Sequence, residues 1–121
     1  MKPPEPKLVC HREDPLLQII ESSSDFDAVR KGGRAVVCFH SPHSAYSRRT
    51  LQVLRELEPQ FPSFKFGVVD VDCPTTNPLL PEFNIYGIPA TCVFGSDAKV
   101  FRYVGELRTK AALKLLARHC V

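Results

Sequence analysis

Short apolar runs alternate with helical patterns along this chain, and the alternation limits the folds that it can adopt. Residues 35–39 are continuously apolar and rich in β-branched side chains, which is typical of a strand covered on both faces. Residues 64–71 form a second run of this kind, and between the two lie leucines at 51, 54 and 57 with helical spacing. Two buried strands joined through a helix predict a right-handed parallel crossover, and therefore an α/β fold.

The remaining segments extend this pattern to the end of the chain. The order β-α-β-α-β-α-β-β-α predicts a mixed central sheet flanked by helices on both faces. The predicted strands are residues 16–20, 35–39, 64–71, 90–94 and 100–104, the last two forming a hairpin. The predicted helices are residues 26–31, capped by Ser24 or Asp25, then 47–61, 77–83, and a last one from the cap Thr109 to residue 117.

The 121 residues are predicted to form one domain and a tail. Residues 1–15 carry prolines at positions 3, 4, 6 and 15, which favour an extended polyproline conformation and cannot build a core. Residues 16–121 are the folded domain. The tail is either a flexible terminus or an arm that lies on a partner.

Composition excludes several classes of function. With 44% hydrophobic and 24% charged residues the chain resembles ordinary globular proteins. No apolar run approaches the roughly 20 residues that cross a bilayer, so no membrane insertion is expected. The net charge of +3 is too small to indicate a nucleic-acid partner, and no stacking aromatic residues interleave with the basic ones.

The five cysteines are an odd number with wide spacing, which does not indicate a disulfide framework. The first seven residues lack the apolar core of a secretory signal. We therefore expect an intracellular reducing compartment, with the cytoplasm favoured and a mitochondrial or ciliary complex left open.

Four segments resemble the thioredoxin family, in the family's order. Residues 35–47, a buried strand followed by a polar loop and a helix, stand where thioredoxins carry Trp-Cys-Gly-Pro-Cys. Residues 69–72 are similar to the third strand and its acidic end, and residues 104–107 to the Val-Gly-Ala-like segment. Tyr86-Gly87-Ile88-Pro89-Ala90 resembles the Gly-Ile-Pro-Thr segment. The resemblance implies a thioredoxin-like fold over residues 16–121, with a cis peptide bond before the proline.

The chain departs from the family at its functional positions. Ser44-Ala45-Tyr46-Ser47 replaces the Cys-x-x-Cys segment, so serines stand where both cysteines are expected. The other departures are His43 for the tryptophan, Cys38 for the buried aspartate, and Gln52 for the proline in the following helix.

These departures predict that the chain is not an enzyme and has no disulfide oxidoreductase activity. Thiol–disulfide exchange needs a thiolate to attack and another to leave, and serine supplies neither. The degenerate motif from Ser44 to Ser47 is therefore assigned no catalytic residue, and no cofactor is expected. The serines are interpreted as helix caps. A hydrogen bond to an anion or a glutathione-like ligand, or a serine nucleophile beside His43, are the alternatives.

The other cysteines and histidines are weaker candidates for a metal site or a reactive thiol. Cys38, His40 and His43 are residue types that ligate zinc, but only three ligands are visible and no metal is predicted. Cys38 and Cys92 are interpreted as small buried hydrophobic residues on adjacent strands. Cys73, which follows the acidic end of a strand, is the remaining candidate for a regulatory thiol or an intermolecular disulfide.

The predicted function is therefore protein binding. The chain is interpreted as a redox-inactive structural module, a subunit of a larger multiprotein assembly, whose protein partners contact Ile88, Pro89, His43 and Tyr46. The family binds extended peptides along the backbone beside its cis-proline, as an added strand would bind. The alternatives are an atypical thiol oxidoreductase or glutathione-dependent enzyme that uses a cysteine outside the motif, and a chaperone-like domain that docks client proteins.

Overall fold

A five-stranded mixed sheet forms the centre of the molecule. The computed structural model of the chain describes residues 17–31, 33–95 and 100–118, so the proline-rich tail 1–15 lies outside the described residues. The strands are β1 Gln18–Ile20, β2 Ala35–His40, β3 Lys65–Asp70, β4 Ala90–Phe94 and β5 Val100–Val104. The helices are α1 Ser23–Arg30, α2 Ala45–Leu57, α3 Leu79–Glu82 and α4 Thr109–Arg118, with 3-10 turns at Glu58–Gln60 and Pro74–Thr76.

The strands lie in the order β1-β3-β2-β4-β5. β1 and β2 pair with β3 in parallel, while β4 pairs antiparallel with both β2 and β5. The predicted element order and the mixed sheet are thereby confirmed. In the register His40 lies opposite Asp70, and Phe39 lies opposite Ala90. The carboxyl ends of β2 and β3 and the start of β4 consequently lie at the same end of the sheet.

Helices cover both faces of the sheet, as the pattern predicts. On one face α2 and α4 bury leucines, among them Leu54 and Leu116, against residues such as Val36 and Phe66. On the other face α1 and α3 bury Phe26 and Leu79. Because both faces are covered, β2 is buried from Ala35 to Phe39, which accounts for its uninterrupted apolar sequence. No helix among the described residues combines the length and apolar character that a bilayer crossing needs.

The second face contains a cluster of aromatic rings. The Phe26 ring stacks on Phe83 with centroids 4.6 Å apart and meets the edge of Phe94 at 5.7 Å. The Arg30 guanidinium lies 4.4 Å from the centre of the Phe94 ring, so a cation–π contact closes the cluster at its border. These rings tie α1 and the segment after α3 to the sheet.

The first helix begins one turn earlier than predicted. Its N-cap is Ser22, whose side chain accepts a hydrogen bond from the Asp25 backbone N–H, and neither Ser24 nor Asp25 is the cap. Asp25 instead accepts a bond at 3.0 Å from the backbone N–H of Glu21, the residue before the cap. Ser22, Ser23 and Ser24 offer the same capping chemistry, so the sequence alone did not distinguish between them.

Candidate functional site

Three loops meet at the end of the sheet where β2 finishes. The loop from Ser41 to Ser44 follows β2, the segment from Tyr86 to Pro89 precedes β4, and the segment from Gly105 follows β5. The Gly105 backbone N–H donates to the Pro89 carbonyl at 2.7 Å, which joins the second and third loops. Gly105 adopts φ +107°, a left-handed conformation that a side chain would strain.

Helix α2 connects the first and third loops. The buried Thr50 hydroxyl accepts a hydrogen bond from the Leu107 backbone N–H at 3.0 Å. Arg49 donates to both carboxylate oxygens of Glu106, at 3.1 and 3.2 Å. These bonds hold the pKa of Glu106 below its usual value and raise the pKa of Arg49. The start of α2 is thereby fixed beside the Pro89 segment.

The two serines at the start of α2 are engaged in hydrogen bonds of the protein itself. Ser44 is the N-cap of α2 and accepts from the Ser47 backbone N–H at 3.2 Å. Ser47 is fully buried, and its hydroxyl accepts from the Ser41 backbone N–H at 3.2 Å. The capping role is confirmed for Ser44, whereas Ser47 secures the preceding loop.

Ser41 extends this network in a way that the sequence did not reveal. Its hydroxyl donates to the Asp72 carboxylate at 2.8 Å and accepts from the His43 backbone N–H at 3.3 Å. Asp72 follows β3, 31 residues further along the chain. The loop that presents His43 is thus anchored to the acidic end of the neighbouring strand.

The predicted contact residues differ in how far they reach into solvent. His43 is exposed, and Tyr46 is 60% exposed with its ring centre 5.0 Å from the Arg49 guanidinium. Ile88 is half-buried against the core, Pro89 is buried, and the peptide bond between them is cis. Ile88 and Pro89 therefore expose less side-chain surface than His43 and Tyr46.

Tyr86 is a surface residue that the sequence interpretation did not propose as a contact. It is 85% exposed, the largest exposed fraction among the large apolar side chains of the described residues. The sequence signal for this exposed residue is its position: an aromatic side chain between Ile85 and Gly87, in a loop where burial follows no period. Such rings are enriched at the centres of protein interfaces.

The buried thiols are held in their protonated form. Burial raises the pKa of Cys38 to about 12 and that of Cys92 to about 11. The two side chains belong to different faces of the sheet, so they cannot meet in a disulfide. Both residues are small buried hydrophobic residues, as predicted, and the thiolate that nucleophilic chemistry needs is strongly disfavoured at both positions. Cys73 is a free, half-buried cysteine whose sulfur lies 3.1 Å from the Thr75 hydroxyl oxygen.

The protonated thiols predict a loss of stability in alkaline solution. In the unfolded chain these cysteines ionise near pH 8.5, well below their folded pKa values, so their contribution is complete below that pH and falls as the pH rises further. Between pH 8 and pH 10 we expect the pair to remove about 3 kcal/mol of unfolding free energy. Urea titrations at both pH values measure this change. In the Cys38→Ala/Cys92→Ala variant the fall should be smaller by that amount, and an equal fall in both proteins would refute the assignment.

His40 lies at the end of β2 as a neutral side chain. Burial lowers its pKa, against an opposing effect of Asp70 and Asp72. Its Nδ1 atom has no hydrogen-bond partner within the described part of the chain. Among residues 17–31, 33–95 and 100–118, no three histidine, cysteine or acidic side chains come together in an arrangement that could hold a metal ion. Cys38, His40 and His43 are therefore not brought into one site.

Comparison with solved structures identifies the architecture. Thioredoxin O2 from Arabidopsis thaliana, solved in its oxidised state, superimposes with a TM-score of 0.75 at 18% identity, over 85% of this chain and 93% of the other. The fold is thioredoxin-like. The oxidised thioredoxin of Plasmodium falciparum matches with a TM-score of 0.75 at 21% identity, over 87% of this chain and 99% of that one.

A third similar structure comes from work on thiol resolution in the yeast mitochondrial 1-Cys peroxiredoxin by glutathione and thioredoxin systems. It has a TM-score of 0.74 at 17% identity and covers 87% of this chain and 97% of the other. No protein-family model matches the chain. No curated protein matches it at a significant level.

These comparisons correct one prediction. The expectation that the chain is not an enzyme is wrong as an inference, because the structures that share its fold are thioredoxins and a protein of thiol-resolving chemistry. The inference rested on the changed motif positions, chiefly Ser44 and Ser47. Two serines remove the sulfur atoms from one pair of positions, but they do not establish a loss of activity for the whole domain, which retains other free cysteines such as Cys73.

Proposed function

We propose that this thioredoxin-like chain is a protein-binding module that holds an extended segment of a partner protein beside Ile88 and Pro89. One observation carries the proposal. The backbone N–H and carbonyl of Ile88 form no hydrogen bond within the described part of the chain, although the residue is half-buried. A backbone donor and acceptor that find no partner within the protein are left to water or to a bound segment, and a bound segment gains both hydrogen bonds.

The surroundings of Ile88 support an extended partner. Its N–H and carbonyl precede β4, so a segment that bonded to both would lie as an added strand. Tyr46, in the first turn of α2, and Tyr86, in the loop before β4, supply exposed aromatic surface at this end of the sheet. The Gly105–Pro89 and Arg49–Glu106 bonds keep these loops in place before binding, which lowers the entropy that binding must overcome.

The proposal includes membership of a larger assembly with protein partners in a fixed stoichiometry. Aromatic side chains in a preorganised backbone setting are typical of stable interfaces. An intracellular reducing compartment and the absence of a nucleic-acid partner stay predictions from composition alone.

Affinity purification under reducing conditions tests this function. We expect the tagged chain to recover partners at near-equal molar amounts, and the Tyr46→Ser/Tyr86→Ser variant to recover them at least about tenfold less, since aromatic interface residues contribute about 2 kcal/mol or more each. Both rings are exposed, so the variant should fold normally, which circular dichroism verifies.

The matched control is Leu113→Ser, which removes an exposed apolar side chain from α4 and should leave recovery unchanged. Recovery of a chain without stoichiometric partners would overturn the assembly proposal. Equal recovery by the tyrosine variant and the unchanged chain would place the contact elsewhere on the surface.

A further inference from the structure

Among the residues that the structure describes, strand β5 is the outer strand on one side of the sheet and has only β4 as a neighbour. Such edges usually carry protection against pairing with other chains. Here two apolar side chains of β5 are exposed, Val100 at 44% and Val104 at 57%. The residue between them on the same face, Arg102, is also exposed. The edge is therefore apolar at both ends and cationic in the middle.

The register shows which residues direct their backbone groups outward. Gly105 donates to the Pro89 carbonyl, and this bond continues the β4–β5 ladder, in which Val104 lies opposite Ala90. In an antiparallel pair, residues that bond to the neighbouring strand alternate with residues that do not. Positions 101, 103 and 105 thus bond to β4. The N–H and carbonyl groups of Val100, Arg102 and Val104 point to the open edge.

Arg102 carries a charge that the described part of the chain does not neutralise. Its guanidinium donates to the Phe83 carbonyl at 3.2 Å, and no carboxylate of the described residues forms an ion pair with it. Arg30, on the same side of the sheet, has an aromatic partner in Phe94 and likewise no carboxylate among the described residues. A strand that paired with β5 would therefore meet positive charge at its centre.

We propose that the β5 edge is a second protein-binding surface, which adds an extended partner segment with the pattern apolar-x-acidic-x-apolar. The backbone of that segment would bond to the outward groups of Val100, Arg102 and Val104. Its acidic side chain would lie opposite Arg102, and its apolar side chains opposite the two valines. Opposite charges and apolar pairs facing each other across strands both stabilise the pairing. The surface is distinct from the Ile88 site because it uses another strand and other backbone groups.

A second copy of the chain fits this edge less well. Pairing two β5 strands antiparallel with full overlap would set Arg102 of one copy directly opposite Arg102 of the other. Like charges opposite each other destabilise a strand pair. Charge complementarity therefore favours an acidic segment of a different protein.

The test is a nuclear magnetic resonance titration of the isotope-labelled full chain with two peptides. One is Thr-Val-Thr-Glu-Thr-Val-Thr, which reads the same in both directions and so fits either strand orientation, and the other has lysine in place of glutamate. We expect the glutamate peptide to shift the amides of Val100, Arg102 and Val104 and to bind about fivefold more tightly than the lysine peptide. Arg102→Glu should reverse that order.

Two further variants keep the result interpretable. Arg102→Gln retains a donor for the Phe83 carbonyl but removes the charge, and should abolish the preference between the peptides. Lys114→Glu alters an exposed residue of α4 and should leave the preference unchanged. Equal binding of both peptides, or shifts confined to Gly87 and Ile88, would overturn the proposal. So would self-association that strengthens in Arg102→Gln, which would identify a second copy as the occupant.

Discussion

Replacing Phe26 with alanine is expected to lower the free energy of unfolding by about 4 kcal/mol. The side chain is 1% exposed, and its ring contacts those of Phe39, Phe83 and Phe94 at centroid distances of 6.3, 4.6 and 5.7 Å. Removing it leaves a cavity that three rings held by different elements cannot fill together. For a domain with a total stability of about 5 to 15 kcal/mol, that loss is large.

Urea denaturation followed by far-ultraviolet circular dichroism measures the effect, because the chain has no tryptophan to report by fluorescence. The matched control is Phe61→Ala, whose ring is half-buried and pairs with Phe64 at 6.3 Å. This variant should lower the free energy of unfolding by less than half as much as Phe26→Ala. Equal losses in the two variants would show that the Phe26 cluster does not organise this face of the sheet.

The elements that the sequence predicts best are those whose pattern has a single solution. The unbroken apolar run of β2 requires cover on both faces, and the structure provides α1 and α3 on one side and α2 and α4 on the other. The helix boundaries are harder to predict where neighbouring residues could each cap the helix. Helix α2 begins after Ser44 and not near Ser47, because Ser44 is the serine whose side chain caps the helix by accepting from the Ser47 backbone N–H.

The site could be predicted in its positions but not in its connections. The segments 43–47 and 86–90 were identified because local sequence resembles a known pattern. The Arg49–Glu106 pair joins residues 57 apart in sequence, and the Ser41–Asp72 bond joins residues 31 apart. Charged and hydroxyl side chains have many alternative partners of equal chemistry in the sequence, so only the tertiary arrangement selects between them. The exposure of Tyr86 likewise depends on what the fold leaves uncovered.

The inference from missing cysteines to missing activity failed for a related reason. It gave the changed motif positions more weight than the cysteines outside the motif, whereas the fold also sets the environment of every other thiol. That environment differs sharply within this chain, since Cys38 and Cys92 are buried and Cys73 is half-buried. A residue type at a motif position therefore describes the chemistry of that position alone.

Replacing both Ser44 and Ser47 with cysteine is expected to produce a rapid thiol–disulfide exchange site. Ser44 caps α2, and its hydroxyl oxygen lies 3.2 Å from the Ser47 backbone nitrogen. A thiolate at position 44 would accept that N–H at the positive end of the helix, which lowers the pKa of its thiol. Position 47, fully buried three residues later, would supply the resolving sulfur. We expect the Ser44→Cys/Ser47→Cys variant to reduce insulin disulfides, with dithiothreitol as the electron source, at least about tenfold faster than the unchanged chain.

The single variants separate the two roles in this reaction. Ser44→Cys alone, reduced and then mixed with insulin after dithiothreitol has been removed, should form a mixed disulfide with the substrate and stop there, because the site holds no second thiol that releases it. Ser47→Cys alone should react slowly, since its sulfur would be buried. The unchanged chain, assayed beside them, measures whatever exchange Cys73 and the other native thiols support. If the double variant forms its disulfide but gains no rate over that baseline, the start of α2 does not activate a thiol in this chain.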